Sequence, residues 1–384
     1  MRFLALGFAA VLLFGACNLR AEDTTYSYSI GSGYSSNIFQ DPTVLGGAFH
    51  EFQLELRGSL ALESSTLTYS AGHARKLVPQ YDFAKEHRTA LELGYQVDVG
   101  KAVQLAVKAG VARQDKGDLL TLLPGLAIGY RETDYIFETG AGAVAEMFGG
   151  KTSITATYGT INRGDARFVL REISPIRVEA EADRLELAAN HIRPMLGGEA
   201  GAYLQYRRSL VSKSDQAAYG RFPAETLRGS LAFGRQLGEN VKLLADAGIV
   251  ALSSDDVDLT KPYFRTELEW RAPKGLTFGA GFMQDMTVSD IDDAVAEYVR
   301  TLKLSVTKAI TEKSELGLGY EQAWSDWSFY DYATRTGKWS ATAKFALADK
   351  VALTVELAHL RRRETSELGD FTANSLAARL GGSF

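Results

Sequence analysis

The chain has 384 residues, and 42 Lys and Arg stand against 47 Asp and Glu for a net charge of −5. That acidic balance argues against nucleic-acid binding, which requires a basic face. With 8 prolines and no Pro/Ser-rich linker, no domain boundary is visible, and the chain reads as one large β domain behind a leader.

Arg2 precedes an apolar run from Phe3 to Ala16 and then a polar segment, the order of a secretory signal. The run is too short to span a bilayer as a helix. Cleavage after Ala21 makes residues 1–21 a signal peptide and 22–384 the mature protein. The rival is lipoprotein processing at Cys17, within Phe14-Gly15-Ala16-Cys17. Removing Cys17 with the signal leaves no cysteine, hence no disulfide framework.

Tyr26, Tyr28 and Ile30 alternate with Ser27, Ser29 and Gly31 as a first strand, and Gly33-Tyr34-Ser35-Ser36-Asn37-Ile38-Phe39 then opens a polar loop. In the second strand Phe52, Leu54, Leu56 and Leu60 share one face, opposed by Glu51, Gln53, Glu55 and Arg57. Three charges on one strand face would be costly against a dry core but are tolerated beside water. The pattern recurs: Leu91, Leu93, Tyr95 and Val97 oppose Arg88, Glu92 and Gln96, and Val103, Leu105, Val107 and Val111 oppose Gln104 and Lys108. Farther on, Leu227, Leu231 and Phe233 oppose Arg228, Ser230 and Gln236, while Val241, Leu243 and Ile249 oppose Lys242 and Asp246. Phe264, Leu268 and Trp270 oppose Arg265, Glu267 and Glu269; Trp339, Phe345 and Leu347 oppose Lys338, Ser340 and Lys344. Each is a period-two strand.

Short connections at Gly238–Asn240, Ala272–Gly275 and Ala348–Lys350 alternate with longer polar ones at Ser253–Lys261, Asp285–Asp293, Ser325–Gly337 and Glu364–Asp370. That asymmetry and the repeated two-faced strand predict an all-β fold: a single antiparallel up-and-down transmembrane β-barrel. About nineteen strand candidates appear, but a single-chain barrel needs an even number, so about 18 are expected, with 16–20 as the range. The ambiguity lies between Leu119 and Asp183, where Leu122–Tyr130 and Tyr135–Phe148 alternate poorly and Arg167–Ile173 reads either way. Pro175–Asp183, rich in Glu and Arg, is a loop that folds either into the lumen or outside.

The expected pore-lining set is Glu51, Glu55, Arg57, Arg88, Glu92, Lys108, Arg228, Lys242, Asp246, Arg265, Glu267, Glu269, Lys344 and Glu356. Both signs are interleaved, which favours a neutral hydrogen-bonding solute over strong ion selection. Trp324, Trp327, Tyr330, Tyr332 and Trp339 read as one cluster, either an interfacial girdle or a sugar-stacking mouth. Five scattered histidines show no metal-ligand spacing, so no metal, cofactor or catalytic residue is expected; Ser70 and His73, the only local pair, fall on opposite strand faces. The acidic stretches Asp255-Asp256-x-Asp258 and Asp290-x-Asp292-Asp293 lack full calcium-loop spacing and read as solvated loops.

The last strand, Phe371 to Phe384, places Leu376, Ala378, Leu380, Gly382 and Phe384 on one face and Ser375, Arg379 and Ser383 on the other. It resembles the closing strand of Gram-negative outer-membrane barrels of porin type, which implies that Leu376, Leu380 and Phe384 form a signal read by the barrel-assembly machinery. The Gly33–Phe39 segment is similar to the opening of β-barrel porins associated with surface-polysaccharide export. The resemblance implies an outer-membrane channel for polar solutes, with an exported polysaccharide or oligosaccharide as the sharper form and a separate periplasmic export protein as partner. The alternatives are a closed structural or surface-binding barrel and a lipid-modifying barrel enzyme.

Overall fold

The computed structural model describes residues 24–100, 102–123, 126–255, 257–288, 296–327, 332–365 and 369–384. The signal segment therefore lies outside the described residues. Nineteen strands form one sheet. In order they are β1 Thr25–Ser35, β2 Gly47–Ala61, β3 Ser65–Leu77, β4 Glu86–Val99, β5 Val103–Leu123, β6 Leu126–Met147, β7 Gly150–Asn162, β8 Arg167–Phe168, β9 Ala182–Met195 and β10 Gly198–Leu210. There follow β11 Ala224–Leu237, β12 Val241–Ser254, β13 Val257–Ala272, β14 Leu276–Val288, β15 Ala296–Thr311, β16 Ser314–Trp327, β17 Tyr332–Ala348, β18 Val351–Glu364 and β19 Phe371–Ser383.

All but β8 pair antiparallel with both ring neighbours, and β19 returns to β1 from Ser27↔Ser383 to Ser35↔Ser375, closing an 18-strand barrel. Closure leaves no strand edge for lipid to meet. The nineteenth strand is the two-residue β8, which joins β6 at Tyr130 and Arg131 where β7 has already ended opposite Tyr135. Only Arg167 and Phe168 of the ambiguous Arg167–Ile173 stretch are thus extended in the sheet.

Register carries one face of each strand continuously round the ring. Ile30 stands opposite Phe52, Leu91 opposite Val111, Leu231 opposite Ala247, and Phe345 opposite Leu353. This apolar face is exposed: Leu54 is 46%, Leu231 71% and Phe345 40% accessible. An apolar outer face needs a hydrocarbon surround. One end of the barrel carries tight turns; Phe148-Gly149 and Leu196-Gly197 take positive φ at both residues, the two-residue hairpin geometry that matches strand twist. At the other end two expected loops shrink, because β12 runs to Ser254 and β13 starts at Val257, while β16 runs to Trp327 and β17 starts at Tyr332.

The poor alternation in Leu122–Tyr130 has a physical cause. β6 is one continuous strand of 22 residues, and with β5 it rises beyond β4, whose pairing stops at His87↔Asp115. Both faces of this rise are covered by protein. On one face Phe83 lies so close over Gly129 that a Cβ there would stand 2.6 Å from its ring; on the other Ile128, Tyr130, Glu132 and Asp134 are buried. A strand covered on both faces has no reason to alternate.

Candidate functional site

By register, Glu51, Glu55, Arg57, Arg88, Glu92, Lys108, Arg228, Lys242, Asp246, Arg265, Glu267, Glu269, Lys344 and Glu356 all fall on the inner face, opposite the exposed apolar one. Several charges of this face pair across strands. Arg379 donates to Glu51 and to Glu356, each at 3.0 Å, and Lys338 lies 3.6 Å from Glu356. Lys108 meets Glu138 at 2.6 Å, Lys303 meets Glu321 at 3.4 Å, and Arg207 meets Glu186 at 2.9 Å. Such half-exposed pairs hold little energy and keep both charges hydrated. The wall is polar and balanced in sign.

At the loop end the lumen is narrowed by three inward-folded parts. The β1–β2 and β3–β4 connections bring Ile38, Phe39, Tyr81 and Phe83 onto the inward side chains Phe49 and Ala377, forming an apolar cluster with Val78 and Ala84. Asn37, fully buried, ties the first of these loops by donating to the Asp41 carbonyl at 2.7 Å while Ser35 Oγ donates to the Asn37 carbonyl at 2.9 Å. In this way the Gly33–Phe39 segment serves the folding of its own loop.

The second part is the Glu/Arg-rich stretch between β8 and β9. Lys116, Glu132 and Asp134 face inward on β5 and β6, and Lys116 meets Glu132 at 2.5 Å and Glu179 at 3.3 Å. Arg163 donates to Asp134 and pairs with Glu179, both at 2.7 Å. The stretch therefore folds on the lumen side, which resolves where it lies. It is anchored farther on by Arg177, whose guanidinium donates to Tyr219 at 3.1 Å and to Asp215 in the short helix Lys213–Tyr219 between β10 and β11. The Tyr219 hydroxyl, with Asp215, holds the Arg177 pKa above its ordinary value against the opposing effect of burial.

The third part is the loop end of β14 and β15. Pairing between β13 and β14 stops at Phe264↔Gln284, and the freed β14 edge turns against the inner face of β11 to β13. Met286 and Ala296 there pack with Val250, Leu252 and Tyr263, and Tyr298 lies 5.7 Å from the Lys261 ammonium. None of these long-range contacts was legible from local alternation; the uncommon acidity and basicity of 175–183 was the one available signal.

No protein-family model matches the chain, and no curated protein matches it by sequence. Solved structures do match. The outer membrane protein OpdK from Pseudomonas aeruginosa is similar over 95% of this chain and 100% of its own, at TM-score 0.54 and 11% identity. The fold is that of bacterial outer-membrane β-barrels. OccK2 (OpdF) from Pseudomonas aeruginosa, solved with glucuronate, is similar over 95% of this chain and 99% of its own, at TM-score 0.53 and 13% identity. The ferric enterobactin receptor PfeA of the same organism covers 94% of this chain and 80% of its own, at TM-score 0.53 and 10% identity. A closed barrel with a continuous apolar exterior belongs in the bacterial outer membrane, where such barrels span.

In the outer-membrane barrel the four described members of the aromatic cluster separate. Trp324 and Trp339 lie on the outer face, Trp339 against Tyr320 at 4.3 Å and Trp324 beneath the Arg335 guanidinium. Trp327 and Tyr332 lie on the inner face, 5.0 Å apart and with Trp327 buried, and Tyr330 is outside the described residues. Positions 324 and 327 differ by an odd number, so a strand must send them to opposite faces. At the seam Leu376 and Leu380 face outward, and Phe384 stacks on Tyr28 at 5.8 Å. Ser70 faces inward and His73 outward, where His73 meets Thr89 at 3.0 Å. Among the described residues no three His, Cys, Asp or Glu gather as a metal site, and Asp256, Asp290, Asp292 and Asp293 lie outside them.

Proposed function

We propose that this outer-membrane barrel is a channel for small polar solutes, among which sugars and oligosaccharides fit best, and that it has no catalytic role. The observation that carries this reading is the inner wall: sign-balanced Glu, Arg and Lys side chains, narrowed where the loops fold inward at one end. A balanced wall offers hydrogen bonds without the uniform field that would select cations or anions. The inward-folded loops favour short solutes over a long polymer, and the Gly33–Phe39 segment is accounted for by loop folding. An exported polysaccharide, with a separate periplasmic partner, is the narrower version and needs passage of a polymer. Export would use residues 1–21 as a cleaved signal, and assembly would use the Leu376, Leu380 and Phe384 face.

The test is the purified barrel in planar bilayers and in liposomes. Stepwise current, together with swelling that is fast in a monosaccharide or in glucuronate and slow in a trisaccharide, is the expected result. Persistent absence of current supports the closed barrel instead, and equal passage of a long dextran supports the polymer reading.

A further inference from the structure

The outer wall at the loop end of β16 to β1 carries a feature that the channel does not use. Trp339 on β17 and Tyr34 on β1 flank an outward trough of about 530 Å³, whose floor is Leu357, Leu376, His359 and Asn374. Trp339 is 60%, Tyr34 54% and Leu357 55% accessible, so the trough is open to the surround. Toward the tight turns the same face continues as Ala341, Ala343 and Phe345 on β17 and as Val355 and Leu353 on β18. The row of Trp339, Leu357, Leu376 and Tyr34 is thus the upper margin of the hydrocarbon-facing band. His359 and Asn374, bonded at 2.7 Å, begin the polar zone above it.

Immediately beyond stand three arginines on that same outer face. Arg361 is opposite Gly337, and Arg363 is directly opposite Arg335. All three are exposed, and none makes an ion pair among the described residues, whereas the nearby Asp326 is engaged by Arg300 at 2.8 Å. Arg335 also caps the Trp324 ring at 5.8 Å. Like charges directly opposite each other on a strand pair repel. Their placement at the margin of an apolar band calls for an anion at headgroup level, and the trough below calls for hydrocarbon.

We infer that this face is a binding site for a phosphorylated lipid of the loop-side leaflet. Its phosphate sits among Arg335, Arg361 and Arg363, and an acyl chain lies in the trough between Trp339 and Tyr34. Basic residues at a membrane surface each strengthen attraction to anionic headgroups by a factor of about five, so the three together are worth roughly a hundredfold.

Native mass spectrometry of the detergent-solubilised full barrel tests this, with bisphosphorylated lipid A and its dephosphorylated form as probes. The expected result is one retained bisphosphorylated lipid, weak retention of the dephosphorylated one, and affinity reduced roughly a hundredfold in the Arg335→Ala, Arg361→Ala, Arg363→Ala variant. Heat-modifiable migration reports whether that variant is folded. Should it fail to fold, the single variant Arg363→Ala and the salt dependence of the wild-type protein decide: loss of affinity in either supports the site. Equal retention of both lipid forms, or affinity indifferent to the arginines and to salt, overturns it. So does a stable dimer that excludes the lipid and dissociates on Trp339→Ala, since a second copy would then occupy the trough. Conductance is independent of all these outcomes.

Discussion

Arg228 on β11 and Asp285 on β14 meet at 3.1 Å although two strands, β12 and β13, stand between them in the wall. The contact exists because β14 leaves β13 beyond Gln284 and turns its free edge into the lumen. Both side chains are largely buried, and the Arg228 guanidinium also lies 4.5 Å from the Tyr263 ring centre. Arg228→Ala removes one partner of a buried pair and leaves Asp285 uncompensated, a loss on the order of 3 kcal/mol for this local contact. Hydrogen exchange across Asp285 to Val288 should accelerate in the variant while the β11–β12 ladder keeps its protection. Unchanged exchange would show that the apolar packing of Met286 and Ala296 holds the edge alone.

The inward-folded stretch between β8 and β9 depends on Arg163, which bridges Asp134 and Glu179. Asp134 and Glu132 have side chains only 4% and 1% accessible, so losing a cation there is severe. Arg163→Ala should release the stretch from the inner face, at a cost on the order of 3 kcal/mol, and raise single-channel conductance. Arg163→Lys should recover part of the occlusion, since it keeps the charge but not the two-pronged fork. If conductance is the same in all three proteins, this stretch does not set the width of the channel.

What the chain disclosed on its own depended on whether its two strand faces met different surroundings. Where one met lipid and the other water, as with Leu54 and Glu55 or Leu231 and Arg228, the alternation was plain and the barrel followed. Where protein covers both faces, as at Ile128 and Glu132, alternation vanished, and with it a firm strand count. The constriction was hidden for another reason: Lys116 and Glu179 are 63 residues apart, and no local pattern encodes that pairing. Trp327 and Tyr332 are close to Trp324 and Trp339 in sequence, but their opposite parity along the strands puts them on the other face.

Ion selectivity should respond to Arg379, which stands between Glu51 and Glu356 on the inner wall. Arg379→Ala exposes two carboxylates to the lumen. A unit charge acting over roughly 6 Å of water is worth about 0.7 kcal/mol, a factor of about three in local ion concentration. The reversal potential in a potassium chloride gradient should therefore move toward cation selectivity, and Glu356→Gln should move it the other way. Both shifts should shrink in concentrated salt, where the Debye length falls to about 3 Å. Variants with the wild-type reversal potential would mean that ions do not pass along this part of the wall.

The seam that closes the ring should be the most sensitive to small additions of bulk. Gly33 on β1 lies opposite Ala377 of β19, and a Cβ placed on it would stand 2.5 Å from the Leu376 carbonyl oxygen and 2.4 Å from the Phe49 ring. The backbone oxygen has nowhere to go, because it belongs to the β19 strand that closes the sheet. Gly33→Val should therefore cost about 1–3 kcal/mol or more and delay closure, seen as less heat-modifiable, fast-migrating barrel after folding into vesicles. Phe384→Ala acts on the same seam from the other end: it keeps the paired backbone bonds of Tyr26 and Phe384, at 2.8 and 3.2 Å, but removes the ring from Tyr28. Loss of that stacked pair is worth about 0.5–1.5 kcal/mol, so the spontaneous folding yield in vesicles should fall only slightly. A much larger deficit in cells than in vesicles would be the mark of a terminal residue read by assembly machinery, whereas equal deficits would reduce Phe384 to a packing role.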